Sequence, residues 1–243
     1  MKGMILAAGF GTRLAPLTDA LPKALVPVAG RPMIAHAVET LRRAGCDELV
    51  VNAHHFADQI EEYFLRNDFG VPVHVVRERE ILGTGGGVLH AAPLLAEETE
   101  FLLFNADIAT EADLASLLRA HRASWGDDRA RADDDRAPLA TLLVNRRETR
   151  RALIVDRQGR LVGKEAWVAE GLTVPPDARR FGFCGVHVVG QGIFQLGAPP
   201  GFHDMFDLYR AGLRRGETIR TVVTDAYWTD LGAPDRIAAH EAR

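Results

Sequence analysis

The sequence predicts an α/β fold, a mixed sheet flanked by helices, and three observations carry that expectation. Apolar runs at 4–8, 48–52, 71–76 and 101–105 recur through the first half of the chain, with stretches of helical period between them. That is the pattern of strands buried on both faces of a sheet. Two of the runs lead into glycine clusters, at Gly9 and Gly11 and again at Gly83, Gly85, Gly86 and Gly87. Beyond residue 139 the alternation gives way to short strand pieces around Asp156-Arg157-Gln158-Gly159, the mark of a hairpin and an antiparallel addition.

Each element has its own local reason. The first strand breaks into Gly9-Phe10-Gly11-Thr12-Arg13-Leu14. A tight loop after a strand offers backbone N–H groups to phosphate oxygens, and Arg13 and Lys23 add positive charge. The loop is not a dinucleotide fingerprint, because the third glycine position holds Leu14, and no glycine precedes Lys23 in a Walker A arrangement. Pro32 opens a helix to Arg43 with Ile34, Ala37, Val38 and Leu41 on one face, and Gly45 ends it. His54 and His55 lie on the turn before a helix marked by Phe56, Ile60 and Phe64, where hydrogen bonding at the helix start is the expected role.

The second glycine cluster reads as a loop running into a helix through Leu89 and Leu94. Two glycine loops at strand ends suggest two faces of one ligand, since ligands of open α/β sheets lie at the carboxyl ends of strands. The strand 101–105 ends at Ala106-Asp107, and an aspartate there either caps the next element or meets a cation. A helix over 111–123 turns Leu114, Leu117 and Leu118 inward. The run 126–136 carries dense mixed charge without apolar period and reads as an exposed loop. Strands follow at 139–144, 152–155 and 160–162, then a glycine-interrupted strand at 181–189, where a glycine lets a ligand approach the backbone. A helix at 204–214 and the run 219–223 lead to Tyr227-Trp228-Thr229-Asp230-Leu231-Gly232-Ala233-Pro234 and a last helix through Ile237.

Composition narrows the function classes. The chain has 243 residues, an apolar fraction of 47% and no linker, so one domain over 1–243 is expected. A net charge of -4 without a dense Lys/Arg run excludes a general field for nucleic acid, so an anionic ligand must be held by local charges. Cys46 and Cys184 have apolar neighbours and no CxxC spacing, and read as buried thiols rather than a disulfide. No apolar stretch reaches membrane-spanning length and the N-terminus enters a strand at once, so the expected location is cytoplasmic, away from membranes.

The glycine loop, Pro22-Lys23-Ala24-Leu25-Val26-Pro27-Val28 and Gly30-Arg31-Pro32-Met33-Ile34 together resemble the signature of the sugar-1-phosphate nucleotidyltransferases. The resemblance extends through Leu82-Gly83-Thr84-Gly85-Gly86, Asp107, Trp228, Asp230 and Gly232, and so covers nearly the whole chain. It implies a Rossmann-like sheet of GT-A type with a small antiparallel sugar-binding lid at about 139–190, and leaves no room for the C-terminal β-helix domain that some relatives append. It also implies Mg²⁺-dependent transfer of a nucleoside monophosphate from an NTP to a sugar 1-phosphate, with release of pyrophosphate. A sugar phosphate is already anionic and needs no general base, so positioning and positive charge are what the reaction requires.

By the resemblance, Leu6, Ala7, Ala8, Gly9, Gly11, Thr12, Gly83, Thr84, Gly85 and Glu78 bind the nucleotide. Arg13 holds the β- and γ-phosphates, Lys23 sits between the α-phosphate and the incoming sugar phosphate, and Asp107 with Asp230 holds Mg²⁺. Asn105, Glu165 and Gly185 face the sugar, although Gly163-Lys164-Glu165 departs from the family's Glu-Lys-Pro and the 126–136 loop is longer than usual.

Within the family the chain most resembles the small uridylyltransferases of cell-wall recycling that activate N-acetylmuramic acid 1-phosphate. Mannose- and heptose-1-phosphate guanylyltransferases share most of the matching residues. A carboxylate at Glu78 or Glu80 accepts from uracil or guanine alike, so residue type does not choose the base. A non-catalytic relative would lose the charges that Arg13, Lys23, Asp107 and Asp230 keep, and a glycosyltransferase would show Asp-x-Asp where this chain has Asn105-Ala106-Asp107. The oligomeric state, a homodimer included, is left open.

Overall fold

The computed structural model describes residues 1–127 and 137–243. Most of the charged run expected as a loop at 126–136 therefore lies outside the described residues. In chain order the elements are β1 (Lys2–Leu6), β2 (Pro27–Val28), β3 (Arg31–Pro32), α1 (Met33–Arg43), β4 (Glu48–Ala53), α2 (Ala57–Arg66), β5 (Val73–Arg77), α3 (Gly83–His90), α4 (Ala92–Leu95), β6 (Glu100–Asn105) and β7 (Ile108–Thr110). There follow α5 (Leu114–Asp127), β8 (Ala140–Asn145), β9 (Leu153–Val155), β10 (Leu161–Lys164), α6 (Glu165–Val168), β11 (Arg179–Gly190), α7 (Met205–Arg214), β12 (Ile219–Val223), β13 (Trp228–Asp230) and α8 (Pro234–Glu241).

Among the described residues, nine strands form one mixed sheet. Its spine runs β10-β9-β11-β6-β1-β4-β5, with β8 paired to β11 and β12 to β8. The β6, β1, β4 and β5 strands are mutually parallel, whereas β11 enters antiparallel to β6, β8 and β9. The antiparallel pieces are thus not a separate layer. β11 has 12 residues, its last part completing the central sheet against β6 and its first part starting the hairpin sheet against β9.

Alternation along the buried strands separates two cores. Ile5, Val51 and Phe104 face α1, α2 and α5 with Ile34, Leu41, Ile60 and Leu117. Met4, Val50 and Leu103 face α3, α4 and α7 with Val88, Leu95, Leu208 and Tyr209. Local signals agree with these ends. Gly45 closes α1 at φ +95, its N–H on the Arg42 carbonyl at 2.9 Å, a conformation costly for other residues. At the other end of the chain, Asp204 and Asp207 form a capping box that starts α7. Cys46 and Cys184 are both buried free thiols, pushed up to about 12 and about 11 by desolvation, which makes them poor nucleophiles. Among the described residues no helix is long and apolar enough to cross a membrane.

The core also fixes how stability depends on pH. His187 on β11 is fully enclosed, its Nδ1 2.7 Å from the Tyr209 hydroxyl, and burial pushes it down to about 3. His121 on α5, 2.8 Å from Thr141 Oγ1, is pushed down to about 4, again chiefly by burial. Both folded-state values lie below that of an unfolded histidine, so as pH falls the unfolded chain takes up the proton first. Stability is therefore full above about pH 6.5 and is lost as pH drops toward 4. Between about pH 7.5 and 5.5 each buried neutral histidine should remove about 1.4 kcal/mol, or about 3 kcal/mol together. The urea midpoint measured at the two pH values checks this, and an unchanged midpoint would contradict it.

Candidate active site

A cleft of about 370 Å³ opens at the carboxyl ends of β6, β1 and β4. Of the residues singled out in the sequence, Leu6, Ala7, Ala8, Gly9, Lys23, Gly83, Thr84, Asn105 and Asp107 line it. Gly11, Thr12, Arg13, Glu78, Gly85, Glu165, Gly185 and Asp230 stand outside that lining.

The first glycine loop is held from three sides. Ala7 N–H donates to Asn52 Oδ1 at 2.9 Å, Ala106 N–H to the Leu6 carbonyl at 3.2 Å, and Thr18 Oγ1 to the Gly11 carbonyl at 3.1 Å. Gly11 has φ +67, and a Cβ there would lie 2.7 Å from Lys23 Cβ, so this position needs glycine both for its backbone and for the approach of the lysine. Gly9 faces open space, which leaves room for a ligand against its backbone. Beneath the loop Leu14 packs with Val26, Val28, Met33, Leu231 and Ile237 in a third apolar cluster. This cluster carries the C-terminal tail to the loop.

The charges converge where tail and loop meet. Lys23 Nζ pairs with Asp107 Oδ2, both side chains being largely buried. The β7–β13 pairing sets Asp230 opposite Ile108, and Leu231 N–H donates to the Asp107 carbonyl at 2.7 Å. A Cβ on Gly232 would fall 2.7 Å from Arg13 Nη2, 3.0 Å from Asp230 Oδ1 and 3.1 Å from Lys23 Nζ, so all three groups surround that glycine. Asp230 also pairs with Arg236 and accepts the Gly232 N–H at 3.2 Å. As two hard carboxylates in one neighbourhood, Asp107 and Asp230 are the donor type that Mg²⁺ takes together with substrate phosphates, and an ion there would compete with the Lys23 and Arg236 pairings. Among the described residues no group of three or more His, Cys, Asp or Glu side chains gathers for a denser metal cage.

The tail is tied to β11 at its glycine bulge. Trp228 Nε1 donates to the Cys184 carbonyl at 2.6 Å, and the Arg147 guanidinium stacks 3.8 Å over the Trp228 ring. Burial holds Arg147 below the usual guanidinium range, though its charge remains. Gly185 has φ +74 and a Cβ there would lie 3.1 Å from Asn105 Nδ2, which brings these two expected sugar neighbours together. Glu165 is not brought to them: it pairs with Arg180 at 2.8 Å on the hairpin.

The second glycine cluster differs from the expected loop. Its glycines are the first turns of α3, despite the poor helix propensity of glycine. They are there for backbone contact: a Cβ on Gly83, Gly85 or Gly86 would lie 2.6, 2.9 or 2.4 Å from the carbonyl oxygens of His203, Asp204 and Gly201 respectively. The Gly85 and Gly86 N–H groups donate to the His203 carbonyl at 2.8 and 3.1 Å, so they are not offered to a phosphate.

Glu78 is likewise corrected as a base contact. It is buried, with Oε1 accepting from Asn52 Nδ2 at 2.7 Å and Oε2 from Leu82 N–H at 3.0 Å. Its carboxylate therefore orients Asn52, and Asn52 fixes Ala7 in the cleft wall. His54 Nδ1 lies 3.0 Å from the Glu78 carbonyl, so it links two loops rather than starting α2.

Sequence reasoning missed Ala24, Met33, Asn52, Ile81, Ala106, Phe202 and Asp204 as lining residues. Asn52 carried a signal, since an amide closing an apolar strand at the same end as Asn105 belongs to the ligand face. Phe202, in Pro199-Pro200-Gly201-Phe202, carried none.

Known proteins bear on this arrangement. The Nucleotidyl transferase family profile matches residues 2–131. Over 247 aligned residues the chain is 32% identical to the N-acetylmuramate alpha-1-phosphate uridylyltransferase of Caulobacter vibrioides, covering 99% of this chain and 95% of that protein. It is 38% identical over 132 residues to a mannose-1-phosphate guanyltransferase of Pichia angusta, which accounts for 52% of this chain but only 36% of that relative's length. In fold it is similar to HddC from Yersinia pseudotuberculosis complexed with GMP-PN, with a TM-score of 0.76 and 20% identity over 99% of this chain and 98% of that one.

Proposed function

Since the chain belongs to the nucleotidyl transferase family, we propose that it transfers a nucleoside monophosphate from an NTP to a sugar 1-phosphate and releases pyrophosphate. The observation that carries this reading is the gathering of Arg13, Lys23 and Asp230 around Gly232, with Asp107 on the same lysine. In the reaction an oxygen of the sugar phosphate forms a bond to the α-phosphorus while the bond from that phosphorus to the β-bridging oxygen breaks. No proton need be removed, because the nucleophile is an anion. The barrier is repulsion between two polyanions, and preorganised cations at the point of approach lower it.

Lys23 would stand at that point, held until substrate arrives by Asp107. Arg13, more exposed, would hold the departing pyrophosphate, and the Gly9 backbone leaves space for the triphosphate. Asp107 and Asp230 would hold Mg²⁺, which when bound offsets the charge of the reacting phosphates. Asn105 and Gly185 would face the sugar.

UTP and N-acetylmuramic acid 1-phosphate are the proposed pair, supported by the full-length similarity to the Caulobacter enzyme. A second reading, mannose 1-phosphate with GTP, is favoured by the higher local identity to the Pichia enzyme. Pyrophosphate release from each of the four NTPs with a panel of sugar 1-phosphates tests both. UTP with the muramic acid derivative should be fastest, a clear GTP preference would overturn the uridylyl reading, and no release with any pair would overturn transfer itself.

A further inference from the structure

Phe202 is a large apolar side chain left 66% exposed, and it lines the cleft. The other large hydrophobics exposed to a comparable degree among the described residues, Phe10, Leu17, Leu65 and Val223, do not. Its place is set by backbone rather than by chance. The His203 N–H donates to the Leu82 carbonyl at 2.9 Å, its carbonyl accepts from Gly85 and Gly86, and Met205 N–H donates to Thr84 Oγ1 at 2.8 Å. Asp204 then starts α7 with its capping box. The segment from Gly201 to Asp204 is thus clamped to the first turn of α3, and the glycines of that turn exist to admit it. What the clamp presents to the cleft is the Phe202 ring, against Gly83 and near Ile81.

Backbone fixed in this way presents the ring to a ligand without a backbone ordering cost. Of the charged groups lining the cleft, Lys23 and Asp107 lie with the loop and tail, whereas Phe202 comes in with Ile81, Gly83, Thr84 and Asp204, the last of which is engaged in capping α7. We propose that Phe202 is a substrate-contacting residue that packs its aromatic face on a ring of the bound substrate, at the part of the cleft away from the phosphates. The ring is supplied by the nucleobase or by the hexose of the sugar phosphate. The shared chemistry is an aromatic face against a flat or C–H-lined ring, and the identity of the two substrates rests on the transfer reading above.

The test is calorimetric binding to wild type and to Phe202→Ala, Phe202→Leu and Phe202→Trp, with melting temperature as the control for folding. Four probes separate the sources: UTP, inorganic tripolyphosphate, N-acetylmuramic acid 1-phosphate and inorganic phosphate. The alanine variant should bind one ring-bearing probe about ten-fold more weakly, the size carried by base–aromatic stacking, with its ring-free counterpart unaffected. Loss confined to UTP assigns the base, and loss confined to the sugar phosphate assigns the hexose. The tryptophan variant should bind as wild type and the leucine variant should not. Equal binding of all probes to the alanine variant, equal loss of ring-bearing and ring-free probes, or full binding by the leucine variant would overturn the proposal. Pyrophosphate release by the wild type, measured alongside, keeps failure of the transfer reading distinct from failure of the stacking.

Discussion

Asp107→Asn is expected to lower kcat by about 100-fold or more while the protein stays folded. Asparagine keeps the volume of the side chain and leaves the Asp107 carbonyl free to accept the Leu231 N–H, so the junction of tail and loop survives. What disappears is the charge: the carboxylate that pairs with Lys23 and would hold Mg²⁺ becomes a neutral amide. Because the developing charge on the phosphates is greatest in the transition state, the loss should appear in kcat more than in KM for either substrate. Steady-state pyrophosphate release, with circular dichroism to verify folding, makes the measurement. Asp230→Asn should act in the same direction. Full activity in either variant would remove that residue from the metal assignment.

Lys23→Ala should be comparably damaging, by about 10²- to 10³-fold in kcat, the range seen when one preorganised electrostatic donor is removed. Its ammonium pairs with Asp107 beside Gly232, and in the proposed reaction it would meet two phosphate groups that approach one another only during turnover. Arg13 is different. It is exposed and stands outside the cleft lining, so Arg13→Ala should raise KM for the NTP as well as lower kcat. Initial rates over a grid of both substrates separate the two patterns, and effects confined to KM in both variants would contradict the division of roles.

What the sequence made legible follows from how local each signal is. The loop after β1 could be read because strand, glycines and charge lie within a short span, and the buried strands because apolar runs on both faces of a sheet need no partner to be recognised. The pairing of Lys23 with Asp107 spans 84 positions, and the approach of Asp230 depends on β7, a strand of three residues too short to announce itself. The lysine–aspartate pair was not foreseen, and the approach of Asp230 came from resemblance alone. The glycines of α3 were misread because propensity argues against a helix there, and the carbonyls that require them belong to 201–204. The role of Glu78 was hidden for a related reason: a polar residue at a strand end looks exposed until sheet order sets Asn52 beside it.

β11 has a mechanical consequence. Its hydrogen bonds pass from β6 in the central sheet to β9 in the hairpin along one continuous strand, and its middle residues pair with β8 around a bulge between Phe183 and His187. A strand shared in this way cannot be peeled from the hairpin without loosening the sheet that carries Asn105. Opening the hairpin through β11 would draw on its pairing with β6 as well, which should place this strand toward the protected end of the molecule's opening free energies. Any flexing between the two parts of β11 would be concentrated at the bulge, where Gly185 already turns the backbone.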